Sequence, residues 1–110
     1  DEDHYVADYG RLYTWYAALN SAASSDQNPS GIQGLCPDGW HIPSDSEWLE
    51  LELCIGMSED DLFLMEDRGA GIGGKLKSTD LEFWCSPNVG ATNEYGFSSK
   101  GAGERFWTNS

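Results

Sequence analysis

The sequence predicts a small α+β domain with long, structured loops. Two stretches carry clear helix signals, and one late aromatic stretch, residues 105–108, has the composition of a strand. The 110 residues include 13 glycines, five tryptophans and five tyrosines, which favours a loop-rich fold over a helical bundle. A chain of this length supports one modest hydrophobic core, so we expect a single domain over residues 1–110.

The chain opens with an acidic arm, residues 1–8, which we expect to be either a short edge strand or an ordered arm. Residues 9–19 follow with apolar side chains at the i, i+3, i+4 and i+7 positions of a helix face. Those positions are Leu12, Trp15, Tyr16 and Leu19. A first amphipathic helix is therefore predicted here.

The clearest local signal is a helix start at residues 44–47. Ser44 and Glu47 have the spacing of a capping box, in which each side chain accepts a hydrogen bond from the backbone amide of the other. The helix should begin at about Asp45, and Gly56 stands where a left-handed glycine would end it. Its buried face is expected to hold Trp48, Leu51 and Ile55.

Later elements have weaker signals. Ser58 precedes three acidic residues, which predicts the start of a third helix that continues to about Met65. A glycine-rich break follows, and then Leu76 lies between two lysines in a predicted strand or turn. Because so few strands are predicted, either the sheet is minimal or some of its strands are missing from the prediction.

The charge limits the classes of partner. The chain has 19 Asp and Glu residues and only six Lys and Arg residues, which gives a net charge of −13. Nucleic acid and anionic membranes are therefore poor partners, and no apolar run of membrane-spanning length is present, so we expect no direct membrane insertion. The excess of acid is compatible with a divalent cation, although negative charge more often serves solubility.

The three cysteines, Cys36, Cys54 and Cys85, lack CxxC spacing and neighbouring histidines. This pattern indicates neither a zinc site nor a thioredoxin-like redox pair. In an exported protein, one pair should form a disulfide, and the third thiol should be free or bonded elsewhere.

Four ordered motifs carry a family resemblance. They are YGRLYTWYAA at 9–18, the segment 28–48 that ends in the capping box, GGKLK at 73–77 and ATNEYGF at 91–97. Together they resemble the Fibrobacter succinogenes major paralogous domain, over residues 9–107. That family is similar to a branch of the C-type-lectin-like superfamily, which includes the formylglycine-generating enzymes. The resemblance implies a C-type-lectin-like fold, with two to three helices around a small, twisted antiparallel sheet and long loops.

The resemblance also implies an exported or surface-anchored bacterial protein, often a lipoprotein, with no established catalysis. The family's usual domain continues into further strands, one of which carries a cysteine expected to pair with the counterpart of Cys36. We therefore expect this domain to be C-terminally incomplete, with Cys36 unpaired or bonded outside the chain. By the same resemblance Cys54 and Cys85 form the intrachain disulfide, which would close a loop of about 30 residues worth roughly 3 to 4 kcal/mol.

Catalytic chemistry has little support in the sequence. His41 lies beside Trp40 just before the capping box, and we expect a packed ring whose nitrogens bond backbone carbonyls. Neither His41 nor His4 accompanies a recognisable nucleophile motif, so a hydrolase triad is not indicated. The formylglycine-generating enzymes use late cysteines that have no matching pair here, and we expect no catalytic residue.

Two kinds of binding residue remain as candidates. Carboxylate and amide oxygens on loops could bind calcium, the one cofactor considered, although the same side chains also suit helix starts and turns. The calcium candidates are Asn93, Glu94, Glu59 and Asp61, with Asp60 beside them. For a sugar or other ligand the candidates are Trp84, Trp107, Asn93 and Glu94, whereas Trp15 and Trp48 are expected in the core.

We therefore predict a non-catalytic extracellular or cell-surface module that recognises a glycan or a surface protein. The alternative is a structural or accessory subunit of a larger bacterial surface assembly. If the chain is a fragment, we expect the rest of the domain to be supplied by a second chain or to be disordered. An enzyme related to the formylglycine-generating proteins is the third interpretation.

Overall fold

The computed structural model describes residues 2–103, with the side chains of residues 2–4 left undescribed. The chain divides into two compact units, each of which is described by itself. Residues 13–70 form the central unit, and the terminal unit combines residues from 1–12 and 71–110. The regular elements are α1 (Glu2–Tyr9), α2 (Trp15–Ala18), α3 (Asp45–Cys54) and a 3₁₀-helix (Gly73–Lys75).

The predicted α+β, C-type-lectin-like fold is wrong for the part of the chain that the structure describes. Residues 2–103 contain no β-strand, and their only strand-like pairing is an isolated parallel bridge between Lys77 and Ser99. Most of the glycines have positive φ, a conformation that interrupts extended backbone, so the segments between helices form turns instead. The strand predicted at residues 105–108 lies outside the described residues.

Helix α3 confirms the capping-box prediction. The Ser44 hydroxyl accepts a 3.2 Å hydrogen bond from the Glu47 amide, and the Glu47 carboxylate accepts one of 3.3 Å from the Ser44 amide. At the other end, Gly56 has φ of +106° and donates to the Leu53 carbonyl at 3.1 Å, while Met57 donates to the Glu52 carbonyl at 2.9 Å. These two bonds form a Schellman motif, so the glycine ends the helix as expected.

The first predicted amphipathic helix is much shorter than residues 9–19. Helix α2 starts after Thr14, whose hydroxyl accepts a hydrogen bond from the Ala17 amide, and it contains four residues. Asn20 and Ser21 then have positive φ, which ends the helical path. Only Leu19 of the predicted face is buried.

The two flanking predictions also need correction. The acidic arm is helical from Glu2 to Tyr9 and is not an edge strand. Residues 58–65 form turns instead of a third helix, with amide-to-carbonyl bonds of 3.1 Å from Asp61 to Ser58 and from Leu64 to Asp61. The Ser58 hydroxyl accepts a hydrogen bond from the Asp61 amide, as an N-cap does, but the helix does not continue beyond this turn.

Among the described residues, the buried apolar side chains all belong to the central unit. They are Leu19, Ile55, Met57 and Leu62. The described part of the terminal unit instead buries polar groups, including Asn88, whose Nδ2 donates to the carbonyls of Ser78 and Asp80 at 3.0 Å each. The central unit therefore has the apolar core, and the terminal unit is held largely by loop hydrogen bonds.

Candidate functional site

The candidate site is an open groove of about 410 Å³ in the central unit, chosen because it brings two exposed tryptophans together with two aspartates. Trp15 and Trp48 both line it, with 57% and 41% of their surfaces exposed. The prediction that these two rings lie in the core is therefore wrong. The rest of the lining is polar apart from one proline, and comprises Ser24, Ser25, Asp26, Pro43, Ser44 and Asp45.

Short local elements hold the two rings. Trp15 is the first residue of α2, and Trp48 lies in the first half of α3. The Trp15 indole N–H donates to the Ser24 hydroxyl at 3.2 Å, which ties the ring to the loop that supplies one edge of the groove. The sequence periodicity predicted buried rings, but the residues that line the groove with them are serines, aspartates and one proline, and the ring surfaces stay open to solvent.

The N-terminus of α3 anchors that loop. The Ser44 hydroxyl donates to the Gln27 carbonyl at 2.7 Å, and the Ser46 hydroxyl donates to the Asp26 carbonyl at 2.8 Å. The N-cap serine and one serine of the first helical turn thus fix the backbone at Asp26 and Gln27. This arrangement brings the carboxylate-bearing residues Asp26 and Asp45 to the same groove.

Glu47 joins the cap to its surroundings. Its Oε1 accepts a 2.8 Å hydrogen bond from the Ser30 amide, and its Oε2 lies 2.6 Å from Nε2 of His41. The hydrogen bond with His41 is the main cause of a lowered pKa for Glu47, against the opposing effect of burial, and the bonds from Ser30 and Ser44 lower it further. His41 is thus paired with a carboxylate and is partly exposed, in contrast to the predicted packed ring bonded to backbone carbonyls.

The predicted ligand residues of the terminal unit have other partners. Trp84 is half-buried, its indole N–H donates to the Ser99 carbonyl at 2.8 Å, and the Lys77 ammonium lies 4.5 Å from its ring centre. One face of this ring is therefore covered by a cation. Trp107 lies outside the described residues.

The predicted calcium ligands lie in two different units. In the terminal unit the Asn93 carboxamide closes a turn by bonding both the amide and the hydroxyl of Ser98 at 2.8 Å, and Glu94 accepts from the Thr92 hydroxyl at 3.2 Å. In the central unit Glu59 and Asp61 belong to the turn after Ser58. Among the side chains that the structure describes, those of residues 5–103, no three His, Cys, Asp or Glu are gathered as a metal site. Calcium takes six to eight oxygens, so these side chains alone do not fit it, and calcium binding stays a prediction.

All three cysteines are free thiols in this structure. Cys54 and Cys85 are exposed, and they belong to the central and the terminal unit respectively. The Cys54–Cys85 disulfide is thus not formed here, and its formation on oxidation stays a prediction, as does a partner for Cys36. None of the described helices is both long enough and apolar enough to cross a bilayer.

The groove combines exposed aromatic faces with hydroxyls and carboxylates, which suits reversible binding of a polar molecule that also has an apolar face. No curated protein and no solved structure matches the chain. The profile of the Fibrobacter succinogenes major domain matches residues 1–110, the full length given. The chain therefore belongs to the Fibrobacter succinogenes major domain family.

Proposed function

We propose that this domain is a non-catalytic binding module that recognises a glycan outside the cell or at its surface. The observation that supports the proposal is the pair of exposed tryptophans, Trp15 and Trp48, that line one groove together with Asp26 and Asp45. Apolar ring surface that stays in contact with water is less favourable than the same surface buried. Two exposed indoles at one groove therefore mark a binding surface more strongly than scattered apolar residues do.

A pyranose ring matches both parts of this groove. Its C–H face is apolar and packs against an indole, while its hydroxyls donate to carboxylates and exchange hydrogen bonds with serine hydroxyls. The groove volume of about 410 Å³ falls within the range of sites for small ligands, and its open form leaves room for a chain to extend beyond it. Recognition of an oligosaccharide therefore needs no metal and no nucleophile.

The test uses two tryptophan substitutions and a matched control. We expect Trp15→Ala and Trp48→Ala each to weaken binding to an oligosaccharide identified on a glycan array by at least about tenfold, the range of a central interface residue. Trp40→Ala removes an indole that is 71% exposed in the same unit but does not line the groove, and it should leave affinity unchanged. Calorimetric titration of the three folded variants, with and without a calcium chelator, measures the result.

Wild-type affinity in both groove variants would show that the glycan binds elsewhere. Complete silence of the folded wild-type domain on the array would contradict glycan recognition itself.

A surface protein or a larger surface assembly is the second candidate partner. It is favoured by the apolar run at residues 63–65, in which Phe63 is 77% and Met65 is 87% exposed. Such a run on a soluble domain is typical of a protein contact, and silence on the glycan array would favour this role as a structural or accessory subunit. Kinship with the C-type-lectin-like superfamily, a lipid anchor and the enzyme interpretation stay predictions that no described residue favours.

A further inference from the structure

We infer that the Trp15–Trp48 groove selects its sugar by charge, binding amino sugars most tightly, neutral sugars less tightly and acidic sugars least. The inference rests on the proposed glycan function and adds the chemical class of ligand. It follows from which charged groups line the groove and from where the positive charges of the central unit lie.

The charge of the groove lining has one sign. Asp26 and Asp45 bring carboxylates, and no lysine, arginine or histidine is among the lining residues. A carboxylate attracts an ammonium group and repels another carboxylate with comparable strength, and partial exclusion of water by two indoles increases both effects. An amino sugar therefore gains from this lining, and a uronic acid loses.

The central unit has one arginine and one histidine, and neither lines the groove, although Arg68 lines a separate pocket that shares Asp45 and Trp48 with it. Arg68 is its single Lys or Arg residue, and its guanidinium donates to Glu52 at 2.9 Å and to the Leu62 carbonyl. His41, the one histidine of this unit, is paired with Glu47 at 2.6 Å. The positive groups that could hold the carboxylate of an acidic sugar are thus already bonded to protein oxygens.

The shape of the sugar and its charge contribute separately to its affinity for the groove. The indoles contact the C–H face of any pyranose, whereas the carboxylates discriminate only by the charge of its substituents. A glucosamine oligomer and its N-acetylated form share one backbone and differ in that charge and in an acetyl group. The charge contribution is therefore the part of their difference in affinity that disappears when the carboxylates of the groove are neutralised.

The experiment compares three oligosaccharides of equal length by calorimetric titration at low salt and about pH 5.5, where the glucosamine amines are protonated and the galacturonate carboxylates are ionised. They are a glucosamine oligomer, an N-acetylglucosamine oligomer and a galacturonic acid oligomer. We expect affinity to fall at least about threefold from the first to the second and at least about tenfold from the second to the third. Added salt should reduce both differences in affinity, because it screens charges that remain exposed to solvent.

Substitutions locate the charge effect. Asp26→Asn together with Asp45→Asn should remove most of the preference for glucosamine over N-acetylglucosamine and keep binding of the N-acetylated oligomer. Glu59→Gln together with Asp60→Asn removes the same formal charge from a turn that does not line the groove, and should keep the preference. This control separates the groove from the general attraction of cations to a protein of net charge −13.

The outcomes distinguish the two proposals. Equal affinity for the acidic and neutral oligomers, or equal loss of preference in both double variants, would overturn charge selection and leave glycan binding intact. Failure of all three sugars to bind, together with silence on the glycan array, would overturn the glycan function and this inference with it.

Discussion

At the scale of single residues, Glu47 makes more contacts than a capping box requires. Its carboxylate accepts from the amides of Ser30 and Ser44 and pairs with His41, so it links the N-terminus of α3 to the preceding loop. The same helical turn supplies Asp45 and Trp48 to the groove. The site is therefore positioned partly through one ionised side chain.

This arrangement predicts an acid-sensitive fold. The pKa of Glu47 is lowered in the folded state from its ordinary value of 4.5, so its ionised form stabilises the fold. That stabilisation is fully present above the unfolded value of 4.5 and is lost as the pH falls through the lowered folded value. Chemical unfolding from pH 6 down to about pH 3 should show a smaller loss of stability in Glu47→Gln than in the wild type.

Glu59→Gln is the matched control for that titration, because it removes one formal charge from an exposed turn. It should follow the wild-type curve. An acid limb that is equally steep in Glu47→Gln and the wild type would show that Glu47 contributes no pH-dependent stability.

At the scale of elements, local signals predicted the structure well and longer patterns did not. Both ends of α3 follow from side chains and backbone within a few residues, so Ser44 and Gly56 were sufficient to predict them. The exposure of Trp15 and Trp48 depends instead on the polar residues 24–26 beside the two rings, and the spacing of apolar residues within a helix carries no information about that loop. Within residues 2–103 the predicted sheet is absent for a similar reason, because strand pairing is a non-local property that no single segment specifies.

The 3₁₀-helix in the terminal unit offers a sharp steric test. A Cβ atom on Gly74 would lie 2.0 Å from the Gly90 carbonyl oxygen, whereas one on the adjacent Gly73 would meet no atom within 4 Å. Gly74→Ala should therefore destabilise the protein by about 1–3 kcal/mol or more, because the backbone near Gly90 must move. Gly73→Ala should be neutral within about 0.5 kcal/mol or slightly stabilising. Urea unfolding measures both, and equal midpoints would contradict the close approach.

At the scale of the whole molecule, stability should follow the distribution of apolar burial. Among the described residues, the buried apolar side chains belong to the central unit, whereas the buried residues of the terminal unit, Ser78 and Asn88, are polar. Hydrogen bonds alone contribute modestly to net stability, since they replace bonds to water, while apolar burial is the dominant favourable contribution. Opening of the terminal unit should therefore cost less free energy than opening of the central unit.

Amide hydrogen exchange tests this with two bonds of matched length. The Ile55 amide donates to the Leu51 carbonyl at 3.0 Å in the central unit, and the Ser78 amide donates to the Ser99 carbonyl at 3.0 Å in the terminal unit. Because the two bonds are equal in length, a difference in protection does not come from the length of either bond and reports the surroundings of each amide. We expect Ile55 to exchange at least about tenfold more slowly than Ser78 after correction for intrinsic rates, a difference of about 1.4 kcal/mol in opening free energy. Equal protection at the two amides would mean that the units open together, and the apolar side chains around Ile55 would then stabilise the whole chain.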